Sequence, residues 1–172
     1  FGFGYFLTSL YWITISLTFD KNFIFLIPIT LVLVPSFLAL FYGLVSFIFY
    51  LYNPKNILSA FFLFSLLFGI VEFVRGSILT GFPWNLIIYS FSENLTFINI
   101  ISVIGTYSLN LIVISFFSLP AVYFLRSSKK DIAICIFFIL LPILFFVYGS
   151  FQKNIFMSNT EKENPYIIRV IG

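Results

Sequence analysis

Charge is what this chain has least of. Of its 172 residues only 9% are Asp, Glu, Lys or Arg, against 61% hydrophobic and 23% aromatic, and the mean hydropathy is +1.12. A soluble domain carries about 25% charged residues, so a water-soluble core of this length is excluded. Lipid removes the need for a charged surface, because apolar side chains can face acyl tails, and the composition is that of an integral membrane protein. Histidine is absent, which removes imidazole as a general base or metal ligand. The single cysteine, Cys135, stands inside the apolar run "IAICIFFILL", so no disulfide framework can form within the chain. The net charge of +3 is spread over the ends of apolar runs and forms no stripe, so no nucleic-acid partner is expected.

Five apolar segments, about 1–19, 23–50, 57–74, 97–125 and 132–150, are each near the roughly 20 residues a helix needs to cross the hydrocarbon core. Pro28, Pro35, Pro120 and Pro142 fall inside them and read as ordinary membrane-helix irregularity, since neighbouring helices can resatisfy the backbone. The breaks alternate in charge. "YNPKN" carries Lys55 and "RSSKKD" carries Arg126, Lys129 and Lys130, while the other side has "DKN" and the long stretch 75–94. The positive-inside rule puts Lys55 and the 126–130 cluster in the cytoplasm. The "TGFPW" turn and everything after Ser150 are then outside. The tail "QKNIFMSNTEKENPYIIRVIG" turns polar and then β-branched after Pro165, which reads as a linker into the first strand of an exported domain. With Phe1 opening the sequence and no signal-peptide pattern in "FGFGYFLTSLYW", both ends read as cut.

One stretch departs from the rest: "VEFVRGSILTGFPWN", residues 71–85. Glu72 and Arg75 are three apart, so a helix places them on one face where they can pair. An ionisable residue at membrane depth is costly and marks a candidate site, although Arg75 could equally snorkel to lipid phosphate. Gly76, Gly81 and Pro83 mark a turn, and 77–89 is too apolar for a free loop in water. It is expected to fold back as a re-entrant or interfacial element with Phe82, Trp84 and Tyr89 at headgroup level. Tryptophan is scarce, two in the chain, so Trp84 and Trp12 carry more information than any Phe or Tyr. Asn110 and Ser108 in "YSLNL" read as interhelical hydrogen-bonding glue.

These residues carry a resemblance. "VEFVRGSILTGFPWNLIIYS" resembles the signature of the apolipoprotein N-acyltransferase family: Glu, Arg-Gly, Thr-Gly-Phe-Pro-Trp, then Tyr-Ser. "FGFGYFLTSLYWITIS" and "IGTYSLNLIV" are similar to flanking spans of that family, and "IIRVIG" resembles the first strand of its exported nitrilase-like domain, with Ile171 where the family usually has Gln.

The resemblance implies an all-α polytopic membrane domain of about five transmembrane helices, followed by the first strand of a truncated α/β nitrilase-like domain. The boundaries expected are a partial membrane domain at 1–151, a linker at 152–164 and the exported domain from 165–172. It further implies a bacterial inner-membrane location with the C-terminal end on the periplasmic side. The implied partners are a phospholipid acyl donor and a diacylglyceryl-apolipoprotein acceptor, with neither cofactor nor metal. The family's two-step transfer runs through a Cys thiolate that takes the acyl chain and passes it to an α-amino group. That Cys, with its Glu and Lys, would lie beyond residue 172, so no catalytic residue is assigned and the chain alone is expected to be inactive. Cys135, mid-span among Ile and Phe, is not that nucleophile. The residues expected to bind substrate are Glu72, Arg75, Phe82, Pro83 and Trp84, with Trp12 and Tyr11 as weaker candidates. Phe82, Pro83 and Trp84 would form a lipid-entry floor, and Arg75, held by Glu72, would favour a lipid phosphate. Two other classes stay open: a transporter or channel fragment, and a plain membrane anchor for an exported domain.

Overall fold

The computed structural model describes residues 1–78 and 81–160, with the side chains of 159 and 160 left aside. Seven α-helices occur there: α1 (Gly2–Leu10), α2 (Ile27–Tyr52), α3 (Ile57–Ser77), α4 (Leu95–Ile98), α5 (Ile101–Ile104), α6 (Thr106–Leu125) and α7 (Lys129–Thr160). Three 3₁₀ segments join them, Tyr11–Thr18, Lys21–Leu26 and Ile87–Phe91. No strand occurs among the described residues, and the strand expected at 165–172 lies outside them.

The contacts arrange the long helices as a row in which each runs against the next. In α2 and α3, Phe49 meets Phe64 while Tyr42 meets Phe68. In α3 and α6, Phe61 packs with Leu119 and Val122 at one end and Glu72 reaches Asn110 at the other. Val122 joins α6 to Cys135 of α7, and α1 lies along α2 with Phe6 on Tyr42.

Local chemistry sets the turns. The α2 helix stops at Asn53, whose backbone is left-handed (φ 39°) and whose N–H donates to the Phe49 carbonyl; Pro54 follows. The side chain of Asn56 then caps α3 by accepting from the Leu58 N–H. A capping box opens α7: the Ser128 N–H donates to Asp131 Oδ2 at 2.9 Å, and the Asp131 N–H donates back to Ser128 Oγ at 3.4 Å. The helices run on through Pro35, Pro120 and Pro142.

Four helices among the described residues are long and apolar enough to cross a membrane: Lys21–Tyr52, Ile57–Ser77, Thr106–Leu125 and Lys129–Ser158. The expected first span is helical but divided at Leu10 (φ −117°, ψ 2°), after which it tightens to 3₁₀. The run "ITISLT" supplies a reason. Thr14, Ser16 and Thr18 each donate a hydroxyl hydrogen bond at 2.7 Å to the carbonyl three residues back, which competes with the i→i−4 ladder. The expected 97–125 span is divided at Gly105 (φ 79°), so that α6 alone is the long helix. The last span overruns Ser150 and carries the polar residues Gln152, Lys153 and Asn154, expected in a linker, on helix α7.

Candidate functional site

Glu72 and Arg75 lie on one face of α3, and both are buried, at 0% and 1% exposure. Arg75 Nη2 donates to Glu72 Oε1 at 3.1 Å. The other guanidinium terminus turns to the polypeptide that follows the helix: Nη1 donates to the Phe82 carbonyl at 2.8 Å and to the Trp84 carbonyl at 2.9 Å. The Phe82 N–H in turn donates to the Arg75 carbonyl at 3.2 Å. The loop is thereby stitched to the end of its own helix from both sides. Arg75 also lies over the Phe6 ring, Cζ 5.3 Å from the centroid.

Glu72 is held from three helices. Besides Arg75, the Tyr42 hydroxyl of α2 donates to Oε1 at 2.7 Å and the Asn110 side-chain amide of α6 donates to Oε2 at 3.4 Å. A buried carboxylate needs such partners, since taking it out of water unpaired costs several kcal/mol. Asn110, fully buried, uses its other end on the loop, where Oδ1 accepts from the Ile88 N–H at 3.0 Å. Its expected role as glue between helices therefore extends to the loop. Ser108 is exposed on the same helix.

The loop backbone is specialised. Gly81 has φ +77°, and a Cβ there would come within 2.6 Å of the Gly76 carbonyl oxygen, so the turn needs glycine on two counts. Asn85 is also left-handed (φ 60°), and its carbonyl accepts from the Tyr5 hydroxyl of α1 at 2.9 Å. Leu86 and Ile88 point inward, at 1% and 0% exposure, into a cluster with Phe97, Ile100, Leu109 and Val113. The segment therefore folds onto the helices with an apolar anchor of its own, while Trp84 and Tyr89 remain exposed at 58% and 42%.

The sequence-derived residues come together unevenly. Trp84 meets Trp12 across the site, ring centroids 6.4 Å apart and tilted by 60°, so the chain's two tryptophans form one exposed pair. Tyr11, next to Trp12, is exposed; Pro83 is exposed and Phe82 half-buried against the α1–α2–α3 core. Arg75 offers no exposed guanidinium for the expected phosphate contact, because it is 1% exposed with both terminal nitrogens engaged. Tyr42 and Tyr5 belong to the constellation but were not singled out in the sequence. Among ten tyrosines, and at sequence separations of 30 from Glu72 and 80 from Asn85, no local pattern marks them.

Comparison with known proteins identifies the family. The family model described as the apolipoprotein N-acyltransferase N-terminal domain matches residues 1–119. The chain is 40% identical to the apolipoprotein N-acyltransferase of Rhodopseudomonas palustris over 124 residues, 71% of this chain and 23% of that protein. It is 30% identical to that of Brucella melitensis over 176 residues, 99% of this chain and 32% of that protein. It is 40% identical to that of Rickettsia bellii over 116 residues, 66% of this chain and 23% of that protein. No solved structure matches. The chain thus spans about a quarter to a third of the length of these relatives, and it belongs to the apolipoprotein N-acyltransferase family.

Proposed function

We propose that this chain is the membrane platform of an enzyme that moves an acyl chain from a phospholipid to the N-terminal amine of a diacylglyceryl-cysteine in an apolipoprotein. The enzyme would sit in the bacterial inner membrane with the 81–91 loop on the periplasmic side. The chemical steps would belong to a nitrilase-like domain beginning at 165–172, where a thiolate accepts the acyl chain and then yields it to the amine. The chain on its own is then inactive.

The observation that supports this reading most is the exposed Trp12–Trp84 pair, in which Trp84 stands on a loop whose backbone is fixed by buried charge. Indole rings suit the boundary between acyl tails and headgroups, and a fixed pair of them can align a lipid before reaction, the kind of positioning that lowers a barrier. Tyr11, Phe82 and Pro83 would complete this floor. Glu72 and Arg75 would contribute indirectly, by holding the Phe82 and Trp84 carbonyls where the indole of Trp84 meets that of Trp12. Membership of the family leaves the transporter reading with no observation in its favour.

The test uses the full-length enzyme. Trp12→Ala and Trp84→Ala are expected to lower kcat/KM for acyl transfer by about tenfold or more, roughly 1.4 kcal/mol of transition-state stabilisation, at unchanged expression. Wild-type transfer in both variants would sink the proposal.

A further inference from the structure

The end of the helix row opposite the tryptophan loop contains a groove that the proposed acyl transfer does not use. It opens between the end of α2, the start of α3 and the end of α6, with a volume of about 620 Å³, inside the roughly 300–1,000 Å³ range of small-molecule sites. Its walls are apolar: Phe49, Ala60, Phe61, Phe64, Ala121 and Val122. It continues past Lys55, Asn56, Ile57 and Ser127 into a second cavity of about 640 Å³, which is rimmed by Lys129 and Lys130.

The charge at this mouth is one-sided. Lys55, Lys129 and Lys130 are exposed, and among the described residues no carboxylate pairs with them, since the only ion pair there is Glu72–Arg75. Among the described residues the one acid lining the mouth is Asp131, and its carboxylate is turned inward: Oδ2 accepts from the Ser127 and Ser128 N–H groups at 2.8 and 2.9 Å, and the residue is 1% exposed. Arg126 is folded back on its own helix, donating to the Tyr123 carbonyl at 2.7 Å and lying 4.0 Å over the Tyr123 ring.

We propose that this groove binds an anionic phospholipid of the leaflet opposite the tryptophan loop, which the positive-inside rule makes the cytoplasmic one. One acyl chain would lie between Phe61, Phe64 and Ala121, with the phosphate among Lys55, Lys129 and Lys130. Basic pockets between membrane helices on the cytoplasmic side suit anionic headgroups, each lysine strengthening binding about fivefold. The apolar wall and the unbalanced lysines occupy one continuous opening, so tail and headgroup are matched together. This assignment does not rest on the acyltransferase reading.

The experiment counts lipids bound to the full-length protein by native mass spectrometry during titration with phosphatidylglycerol and, separately, with zwitterionic phosphatidylcholine. Wild type is expected to retain phosphatidylglycerol at a concentration about tenfold or more below that needed for phosphatidylcholine. The Lys55→Gln/Lys129→Gln/Lys130→Gln variant, altered only at exposed positions, is expected to lose that preference. Ala121→Phe, which fills the groove, is expected to lose one bound lipid of either kind. Equal retention of the two lipids by wild type, or a preference that survives in the lysine variant, overturns the proposal. Unchanged lipid counts in Ala121→Phe also overturn it, since the lipid would then be bound elsewhere.

Discussion

At the scale of single residues, the site depends on one carboxylate and one guanidinium that water does not reach. Breaking such a pair strands the remaining charge, which costs about 3–5 kcal/mol, so Glu72→Ala and Arg75→Ala should each sharply lower the thermal midpoint of the full-length enzyme. The double variant removes both charges and should fall well short of the sum, with a coupling of roughly 0.5–3 kcal/mol; additive losses would show that the pair is not a unit. Arg75→Lys should fail to rescue, because an ammonium cannot hold Glu72 and two carbonyls in the fork geometry that the guanidinium uses. Asn110→Leu tests the loop together with one of the Glu72 contacts. It leaves the Ile88 N–H buried without an acceptor, at a cost of about 1–3 kcal/mol, and should speed limited proteolysis between Gly81 and Phe91 relative to the helices. The carboxylate and guanidinium were legible from their spacing in the sequence. The guanidinium's actual targets were not, since two backbone carbonyls carry no residue-type signal.

Among the elements, the helices stand where apolar length and caps put them, and the sequence fails where side chains interfere with the backbone. The apolar run 1–19 has the composition of one span, yet the hydroxyls of Thr14, Ser16 and Thr18 engage the Tyr11, Ile13 and Ile15 carbonyls along a 3₁₀ path; hydropathy does not register this competition. The overrun of α7 has the opposite origin. Its polar final turns still have helix-forming residues, and the Tyr148 hydroxyl accepts from the Gln152 side chain at 2.9 Å across one turn. Packing between elements is equally invisible to composition, and two glycines make it testable. A Cβ on Gly149 of α7 would collide with the Thr96 backbone carbonyl of α4, whereas a Cβ on Gly43 of α2 meets nothing within 4 Å. Gly149→Ala should therefore force α7 off α4 and destabilise by about 1–3 kcal/mol. Gly43→Ala should stabilise by about 0.5–1 kcal/mol through helix propensity alone. Thermal unfolding of the two variants in parallel separates these effects, and equal shifts would deny the close crossing.

For the whole molecule, the question is which end of the helix row faces which compartment, because both lipid-handling proposals depend on it. The two ends differ in chemistry. One carries Lys55, Arg126, Lys129 and Lys130 on short turns; the other carries Trp12, Trp84, Asp20, Glu93 and Lys21, the one cation of the "DKN" turn, around longer connections. Lys and Arg near membrane helices are retained in the cytoplasm, so the tryptophan end should be periplasmic. Cys135 is 5% exposed and should stay silent towards a charged, membrane-impermeant maleimide, which leaves a clean background for single added thiols. In the full-length protein, Ser92→Cys, at an exposed position on the loop side, should react in intact spheroplasts. Ser127→Cys, exposed in the turn before α7, should react only after the membrane is opened. Labelling of Ser127→Cys in intact spheroplasts would invert the row. It would move the tryptophan pair to the cytoplasmic leaflet, and with it remove the platform that a periplasmic thiolate needs.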